Sequence, residues 1–163
     1  VICKITVTTA DDALAAKIEP GAPPPSRRLA ALKRLAGAGL FTGVLLMPVL
    51  PFLEDSEEHV LTVVESAAQA GVRFIYPAFG VTMRQGQREY FLDGLERAFP
   101  GRGLRERYLR QYGSRYRCAS PRAGLLWKAF ADSCRRYGIL YDMKAIVRAA
   151  TLGYGDRQLT FFD

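Results

Sequence analysis

The sequence is poor in the residue types that build disulfide frameworks and zinc sites. Its 163 residues include three cysteines and one histidine. An odd, irregularly spaced set of cysteines does not form a disulfide framework and is typical of a reducing compartment, so we expect a cytoplasmic protein. The single histidine, His59, excludes the His-rich zinc site of metal-dependent hydrolases, and its predicted amphipathic helix favours a surface position.

Membrane-spanning runs and nucleotide-binding loops are also missing. The longest apolar run, Phe41 to Leu53, is too short to cross a bilayer, and no signal-peptide pattern stands at the start. No G-x-S-x-G, Walker or dinucleotide-binding glycine motif occurs. The sequence therefore predicts no membrane span, no serine triad and no common phosphate-binding loop.

What is present is the composition of a globular domain, with 49% hydrophobic residues. The strand-like segment at Val1 begins without a cap, turn or linker, which indicates that the sequence starts inside a fold. Residues 1–85 alternate strand-like and helix-like segments, the pattern of parallel β/α units with right-handed crossovers. The predicted strands are Ile2–Thr9, Phe41–Pro48 and Val72–Phe79, and the predicted helices are Ser26–Ala36 and Ser56–Ala70.

From Gly86 onward the pattern predicts helices and no strands. A final helix is expected at Asp142–Ala150, followed by an extended tail at residues 158–162. Apolar stripes at helical spacing are Phe91, Leu95 and Phe99, then Leu104, Tyr108 and Tyr112, then Leu126, Phe130 and Cys134. Such stripes are more typical of core than of cofactor contacts. We therefore expect a β/α unit at residues 1–85 and a helical cap and tail at residues 86–163.

Positive charge is concentrated in the cap. The net charge is +7, and Arg97 to Arg136 holds ten Arg and one Lys against Glu106 and Asp132, a local net charge of +9. A polyanionic partner and a solvated helix surface both explain this asymmetry, and both stay open. Tyrosines interleave with these arginines, as stacking on single strands requires. A basic nucleic-acid-binding module without catalysis is therefore the alternative function.

Polar side chains alternate along the first predicted strand, where Lys4, Thr6 and Thr8 share one face. In a β/α barrel the outer strand face packs on helices, so this polar face is expected to line the lumen and meet a ligand, water or one another. Lys4 and Arg84, the latter in the loop after the third strand, are candidate contacts for a substrate or an anion.

Several short motifs follow one another through the chain. They are Thr6-Val7-Thr8-Thr9, Glu19-Pro20-Gly21, Arg28-Leu29, Ala38-Gly39, Gly43, Pro48, Tyr76-Pro77-Ala78-Phe79-Gly80, Gln87-Arg88-Glu89-Tyr90-Phe91 and Gln158-Leu159-Thr160-Phe161-Phe162. Their order and spacing resemble the later barrel strands of radical S-adenosylmethionine (SAM) enzymes in the spore photoproduct lyase-like group. The resemblance implies an α/β fold: the C-terminal half of a partial (β/α)6 TIM-type barrel, with three parallel strands, followed by a helical cap.

The same resemblance implies the chemistry of the parent enzyme. That enzyme would use a [4Fe–4S] cluster on three cysteines to cleave SAM and form a 5′-deoxyadenosyl radical, and nucleic acid is a candidate substrate because spore photoproduct lyases repair DNA. The C-x3-C-x2-C cluster motif is absent here, since Cys3 stands alone and Cys118 and Cys134 lie far apart. The fragment is therefore expected to hold no metal and to be inactive alone, with the cluster cysteines upstream of Val1.

Cofactor-binding residues are carried over from the same group. Thr6 matches its ribose-contacting strand position, and Thr8 is the neighbour on that face. Glu19 and Arg28 match its acidic-Pro loop and helix arginine, either as ligand contacts or as a structural ion pair.

Two further expectations concern the residues at the end of the second predicted strand and the open side of the half-barrel. Met47 and Pro48 would line the adenine side of SAM or simply pack. An open half-barrel exposes a strand edge, which predicts a homodimer or pairing of the first strand with another chain.

Overall fold

Three parallel strands form the centre of the protein. The structure is a computed structural model that describes residues 1–152. The strands are β1 (Ile2–Thr6), β2 (Phe41–Leu46) and β3 (Phe74–Pro77), in the spatial order β1-β2-β3. Each lies inside a predicted strand and is shorter, because the residues beyond it leave the ladder and turn into the connecting loops. The α/β class and the parallel sheet are therefore confirmed.

Helices connect these strands in the expected alternation. α1 (Asp12–Ile18) and α2 (Pro25–Gly37) lie between β1 and β2, and α3 (Glu57–Gln69) lies between β2 and β3. Asp11 accepts hydrogen bonds from the first turn of α1, and Ser56 accepts one at the start of α3, as N-caps do. The sequence pattern did not predict α1, because its seven residues are too few to show a clear helical period.

One face of the sheet carries the larger core. Its strand residues pack against α2, α3 and a later helix, and their side chains are excluded from water. The buried members include Val7, Leu32, Val44, Leu46, Val60, Val63, Val64, Ile75, Leu126, Phe130 and Cys134. Burial of this apolar surface, at roughly 25 cal/mol per Å², is the main term that holds the helices on the sheet.

The second half of the chain contains the expected helices and one strand pair that was not expected. The helices are α4 (Gln87–Ala98), α5 (Leu104–Tyr112), α6 (Ala123–Tyr137) and α7 (Met143–Thr151). Two short antiparallel strands, β4 (Gly80–Thr82) and β5 (Arg117–Ala119), lie before α4 and before α6.

The prediction that strands end at Gly86 is therefore wrong at β5. Three residues with only Cys118 buried show no readable alternation, so the sequence gives no strand signal there. Gly80 makes the pairing possible, because a Cβ at this position would lie 2.6 Å from Cα of Ala119. The close backbone approach requires glycine.

A smaller core fills the space among α4, α5 and β5. It contains Met83, Leu92, Leu95, Phe99, Leu104, Tyr108, Tyr112 and Cys118. The stripes predicted for α4 and α5 thus supply core residues, with Phe91 packed at the edge of the cluster. The stripe of α6 instead joins the larger core of the sheet.

The chain after α6 returns to the sheet. The amide of Ile75 donates to the carbonyl of Leu140 at 2.9 Å, and the amide of Leu140 donates to the carbonyl of Arg73 at 3.0 Å. This isolated bridge is parallel to β3. The part of the sheet in residues 1–152 is open rather than a closed barrel, and the predicted tail at residues 158–162 lies outside the described residues. None of the helices in residues 1–152 has the length and apolar character needed to cross a membrane.

Candidate cofactor-binding edge of the sheet

Arg28 joins the end of β1 to the loop that follows it. Its Nη1 donates to the carbonyl oxygen of Thr6 at 3.0 Å, and its Nε donates to the carbonyl oxygen of Pro23 at 2.6 Å. Its Nη2 forms an ion pair with Glu19. The Glu19–Arg28 pair anticipated from the sequence therefore forms, and the guanidinium also fixes two backbone segments. Thr6, Glu19 and Arg28 border one open groove beside β1.

Thr8 does not share the exposure of Lys4. β1 ends at Thr6, so the strand alternation that placed Thr8 on the same face does not extend to it. Thr8 is 3% exposed, whereas Lys4 is on the surface. The carbonyl oxygen of Thr8 accepts a hydrogen bond from Nε2 of His59 at 2.8 Å.

His59 therefore lies at the carboxyl end of β1, and the interpretation of it as a surface residue is wrong. Its side chain is 14% exposed. The physical reason is its position in the first turn of α3, which begins beside the end of β1. No pattern of spacing in the sequence shows that contact, because Thr8 lies 51 residues earlier.

A buried carboxyl group, Glu54, lies beside His59, and no sequence pattern had indicated it. Its side chain is fully buried, and Oε2 accepts a hydrogen bond from the amide of Leu50 at 2.8 Å. Oε1 has no hydrogen-bond partner within residues 1–152 and lies 4.0 Å from Nε2 of His59. Burial raises the pKa of Glu54 to about 7, because the low-dielectric surroundings disfavour the charged form.

Asp55 ties the loop after β2 to the end of β5. Its Oδ2 accepts from the hydroxyl of Ser120 at 2.6 Å, and its Oδ1 accepts from the amide of Phe52 at 2.7 Å. Asp55 does not cap α3, because Ser56 makes the capping bond. Asp55 instead holds two segments together that are 65 residues apart in the chain.

Lys4 and Met47 lie together on the face of the sheet opposite α2 and α3. They line a cavity of about 390 Å³ with strand residues of β2 and β3 and with α7. This cavity lies on the face of the sheet that α2 and α3 leave uncovered. Pro48, exposed and joined to Met47 by a cis peptide bond, follows at the exit of β2. The proposed site residues thus divide between two neighbouring openings, one at Thr6 and one at Met47.

Arg84 lies apart from both openings. It follows β4, is exposed, and hydrogen-bonds the hydroxyl of Tyr116, which lowers the pKa of that tyrosine. It lines neither the groove at Thr6 nor the cavity at Met47. The expectation that Arg84 joins the other candidate residues has no support from this geometry.

The cysteines do not approach a common centre. Cys3, Cys118 and Cys134 are all free, and the last two belong to different cores. In the part of the chain that the structure describes, no group of three or more His, Cys, Asp or Glu side chains could hold a metal ion. A [4Fe–4S] cluster therefore does not fit the residues present.

Comparisons with known proteins find longer relatives of unassigned activity. The chain is 35% identical over 109 residues to uncharacterized protein Rv2578c of Mycobacterium tuberculosis and equally to uncharacterized protein Mb2609c of Mycobacterium bovis. The match covers 67% of this chain and 32% of each relative. Uncharacterized protein ORF301 of Acidianus two-tailed virus is 33% identical over 79 residues, which are 47% of this chain and 26% of that protein. The chain thus spans about a third of the length of the mycobacterial relatives.

Neither a protein-family model nor a solved structure matches the chain.

Proposed function

We propose that this chain is the C-terminal part of a longer radical SAM enzyme related to the spore photoproduct lyase-like group. The order of its sequence motifs supports this proposal. So does the architecture, since consecutive parallel strands are joined by helices that cover only one face, as in one side of a β/α barrel. The greater length of the mycobacterial relatives leaves room for the remaining strands of a partial (β/α)6 barrel.

The observation that carries the proposal is the cavity at Lys4 and Met47, which lies between α7 and the face of the sheet opposite α2 and α3. The opposite face is apolar and packed on helices, as the outside of a barrel is. The cavity under α7 has a lysine and an apolar lining, which suits the adenosyl and charged parts of SAM. In this proposal Met47 and Pro48 contact adenine, and SAM extends from the cavity at Met47 to the neighbouring opening, where Thr6 contacts ribose.

The other predicted residues take supporting roles in this proposal. Arg28 holds the carbonyl of Thr6 and Glu19 pairs with Arg28, so both orient the end of β1 rather than contact the cofactor. Thr8 is buried, with its carbonyl bonded to His59, and serves the same purpose.

In this proposal the iron–sulfur cluster is held by another part of the parent protein. When bound, such a cluster supplies the electron that cleaves SAM. Its ligands would have to lie on a part of the parent outside this chain, because residues 1–152 offer no such set. The residues of this chain bind and orient the cofactor, and we expect no turnover from the chain alone.

The parent protein tests this proposal. After anaerobic reconstitution with iron and sulfide, we expect absorption of a [4Fe–4S] cluster and release of 5′-deoxyadenosine from SAM under reduction. Met47→Ala is expected to raise the KM for SAM about tenfold, since it removes an apolar contact with adenine. Leu61→Ala, on the exposed side of α3, is the matched control and should leave KM unchanged. A reconstituted parent with no cluster and no SAM cleavage would contradict the proposal.

A second candidate function is nucleic-acid binding, which the arginine distribution of the cap favours. Arg107, Arg110, Arg115 and Arg117 are exposed, and no carboxylate within residues 1–152 lies within 4.0 Å of them. Tyr116, which is 49% exposed, is available for stacking. Tyr108 and Tyr112 are not available, because both are buried in the smaller core.

Salt dependence tests this second function. We expect a labelled single-stranded oligonucleotide to bind the chain with an affinity that falls as salt rises. Arg115→Gln with Arg117→Gln should reduce the salt slope by about one for each phosphate that these side chains neutralise, whereas Lys33→Gln, an exposed cation of α2 outside the basic segment, should not. Binding that is absent at low salt would rule this function out.

A further inference from the structure

A second cavity lies between α1 and α4. It is separate from the groove at Thr6 and from the cavity at Met47. Its volume is about 370 Å³, within the range of small-molecule sites. The apolar lining comes from both helices and from the loop after β2. It includes Ile18, Leu50, Phe91, Leu95 and Phe99. None of the residues assigned to SAM lines this cavity.

A glycine in the middle of α4 keeps this cavity open. Gly94 lines it, and a Cβ built at Gly94 meets no atom within 4 Å. Glycine is less favourable than alanine inside a helix, and neither a positive φ nor a close neighbour requires it here. The effect of glycine at this position is therefore to leave space in the cavity that a side chain would fill.

The charged residues around the cavity are of one sign. Lys17 and Arg97 line it, and no Asp or Glu of residues 1–152 does. In the same residues neither cation has a carboxylate within 4.0 Å, and Lys17 instead lies 5.7 Å from the centroid of the Phe99 ring. Arg102 lies at the same distance from that ring. Three cations near an apolar cavity attract a ligand with negative charge.

An exposed aromatic side chain stands at the mouth of the cavity. Tyr90 is 77% exposed although it lines the opening with Phe91. A tyrosine in this position offers a flat apolar surface to a ligand that enters.

From the open position at Gly94, the apolar lining and the cations at the rim, we propose a binding site for a small aromatic molecule that carries a carboxylate or a similar anionic group. The ring lies against Phe91 and Phe99, and the anionic group meets Lys17 and Arg97. The cavity volume of about 370 Å³ limits the ligand to one or two aromatic rings. This inference does not depend on the radical SAM proposal, because it uses different residues and needs no cofactor.

Calorimetric titration of the chain with 2-naphthoate tests the site, with the neutral 2-naphthamide as the matched ligand. We expect naphthoate to bind about tenfold more tightly than the amide, because the amide lacks the charge-assisted hydrogen bonds. Arg97→Gln should remove this preference, and Arg110→Gln, an exposed arginine of α5, should keep it. Equal affinity for the two ligands, or no heat from either, overturns the proposal.

The variant Gly94→Leu tests the cavity itself. Leucine fills the open space and favours the helix, so we expect naphthoate binding to be abolished while the melting temperature stays equal or rises. Circular dichroism confirms that the variant is folded. Unchanged naphthoate affinity in folded Gly94→Leu also overturns the proposal, and if this variant does not fold, the Arg97→Gln result decides.

Discussion

Nε2 of His59 lies 2.8 Å from the carbonyl oxygen of Thr8, which connects the first turn of α3 to the end of β1. A carbonyl oxygen only accepts hydrogen bonds, so this ring nitrogen carries the proton. The same nitrogen lies 4.0 Å from Oε1 of Glu54. The end of β1 is therefore held by a side chain beside a buried carboxyl group, and the protonation of that group affects stability.

The pKa of Glu54 predicts that the protein loses stability as pH rises. Burial raises this pKa from 4.5 to about 7, so between these values the folded protein holds a proton that the unfolded chain has released. The free energy of unfolding then falls with rising pH, by up to about 3 kcal/mol across the window. Glu54→Gln should flatten this dependence and be more stable than the wild type at pH 8.

Urea denaturation from pH 4 to pH 8 measures the effect. Glu58→Gln is the control, because Glu58 is exposed on the same part of the chain and should keep the wild-type slope. His59 faces Glu54, so the slope of His59→Gln is measured beside it. Identical slopes for the wild type and Glu54→Gln would contradict the prediction.

Gly43 is predicted to be essential for the packing of Phe74. These residues are opposite each other on β2 and β3, and a Cβ at Gly43 would lie 2.2 Å from the Phe74 ring. Gly43→Ala should lower the free energy of unfolding by about 1–3 kcal/mol, the usual cost of overpacking. Gly37→Ala is the control, since its Cβ meets nothing within 4 Å and should change stability by less than about 1 kcal/mol. Adding Phe74→Leu to Gly43→Ala should recover part of the stability; no recovery would argue against this clash as the cause.

Arg28→Lys is predicted to destabilise the end of β1 although it keeps the positive charge. Lysine cannot replace a guanidinium that bonds Thr6, Pro23 and Glu19 at once. We expect a decrease of about 1–2 kcal/mol in the free energy of unfolding, since a side chain that is 11% exposed no longer makes two backbone hydrogen bonds. Chemical denaturation measures it. The neighbouring Arg27→Lys, which is exposed, should show no change, and equal stability of the two variants would refute the role of Arg28.

The outer edge of β1 is predicted to form a dimer. In the described residues β1 pairs with β2 on one side only, so its other edge is open to a strand from a second copy. Light scattering should give twice the 18.1 kDa chain mass. Ile2→Lys, which adds a charge where Ile2 is 43% exposed, should shift the chain to the monomer. A wild-type mass of a single chain would show that the edge does not pair in this way.

The three parallel strands and the helices α2 and α3 in residues 1–85 could be read from the sequence, whereas α1 and β4 could not. β-branched and apolar runs bounded by glycine and proline mark the three strands, and period-3.6 stripes mark α2 and α3. The pairing of Glu19 with Arg28 was also anticipated, because a loop carboxylate precedes a helix arginine by nine residues. These features depend on local spacing, which the sequence contains directly.

The residues that hold the carboxyl end of β1 could not be predicted from local spacing. In the sequence, Glu54 resembles any loop carboxylate and His59 a surface residue. In the fold the two side chains lie beside each other, and His59 bonds the carbonyl of Thr8. β5 likewise exists because Gly80 allows Ala119 to approach its backbone, and the two are far apart in the chain.

The sequence by itself determined the α/β class, the apolar faces of the helices and the concentration of positive charge in the cap, because these follow from residue type and local period. Only the tertiary structure decided which polar groups are buried and where the cavities lie. Burial and packing depend on segments that meet across tens of residues, and a pattern within one segment does not contain that information.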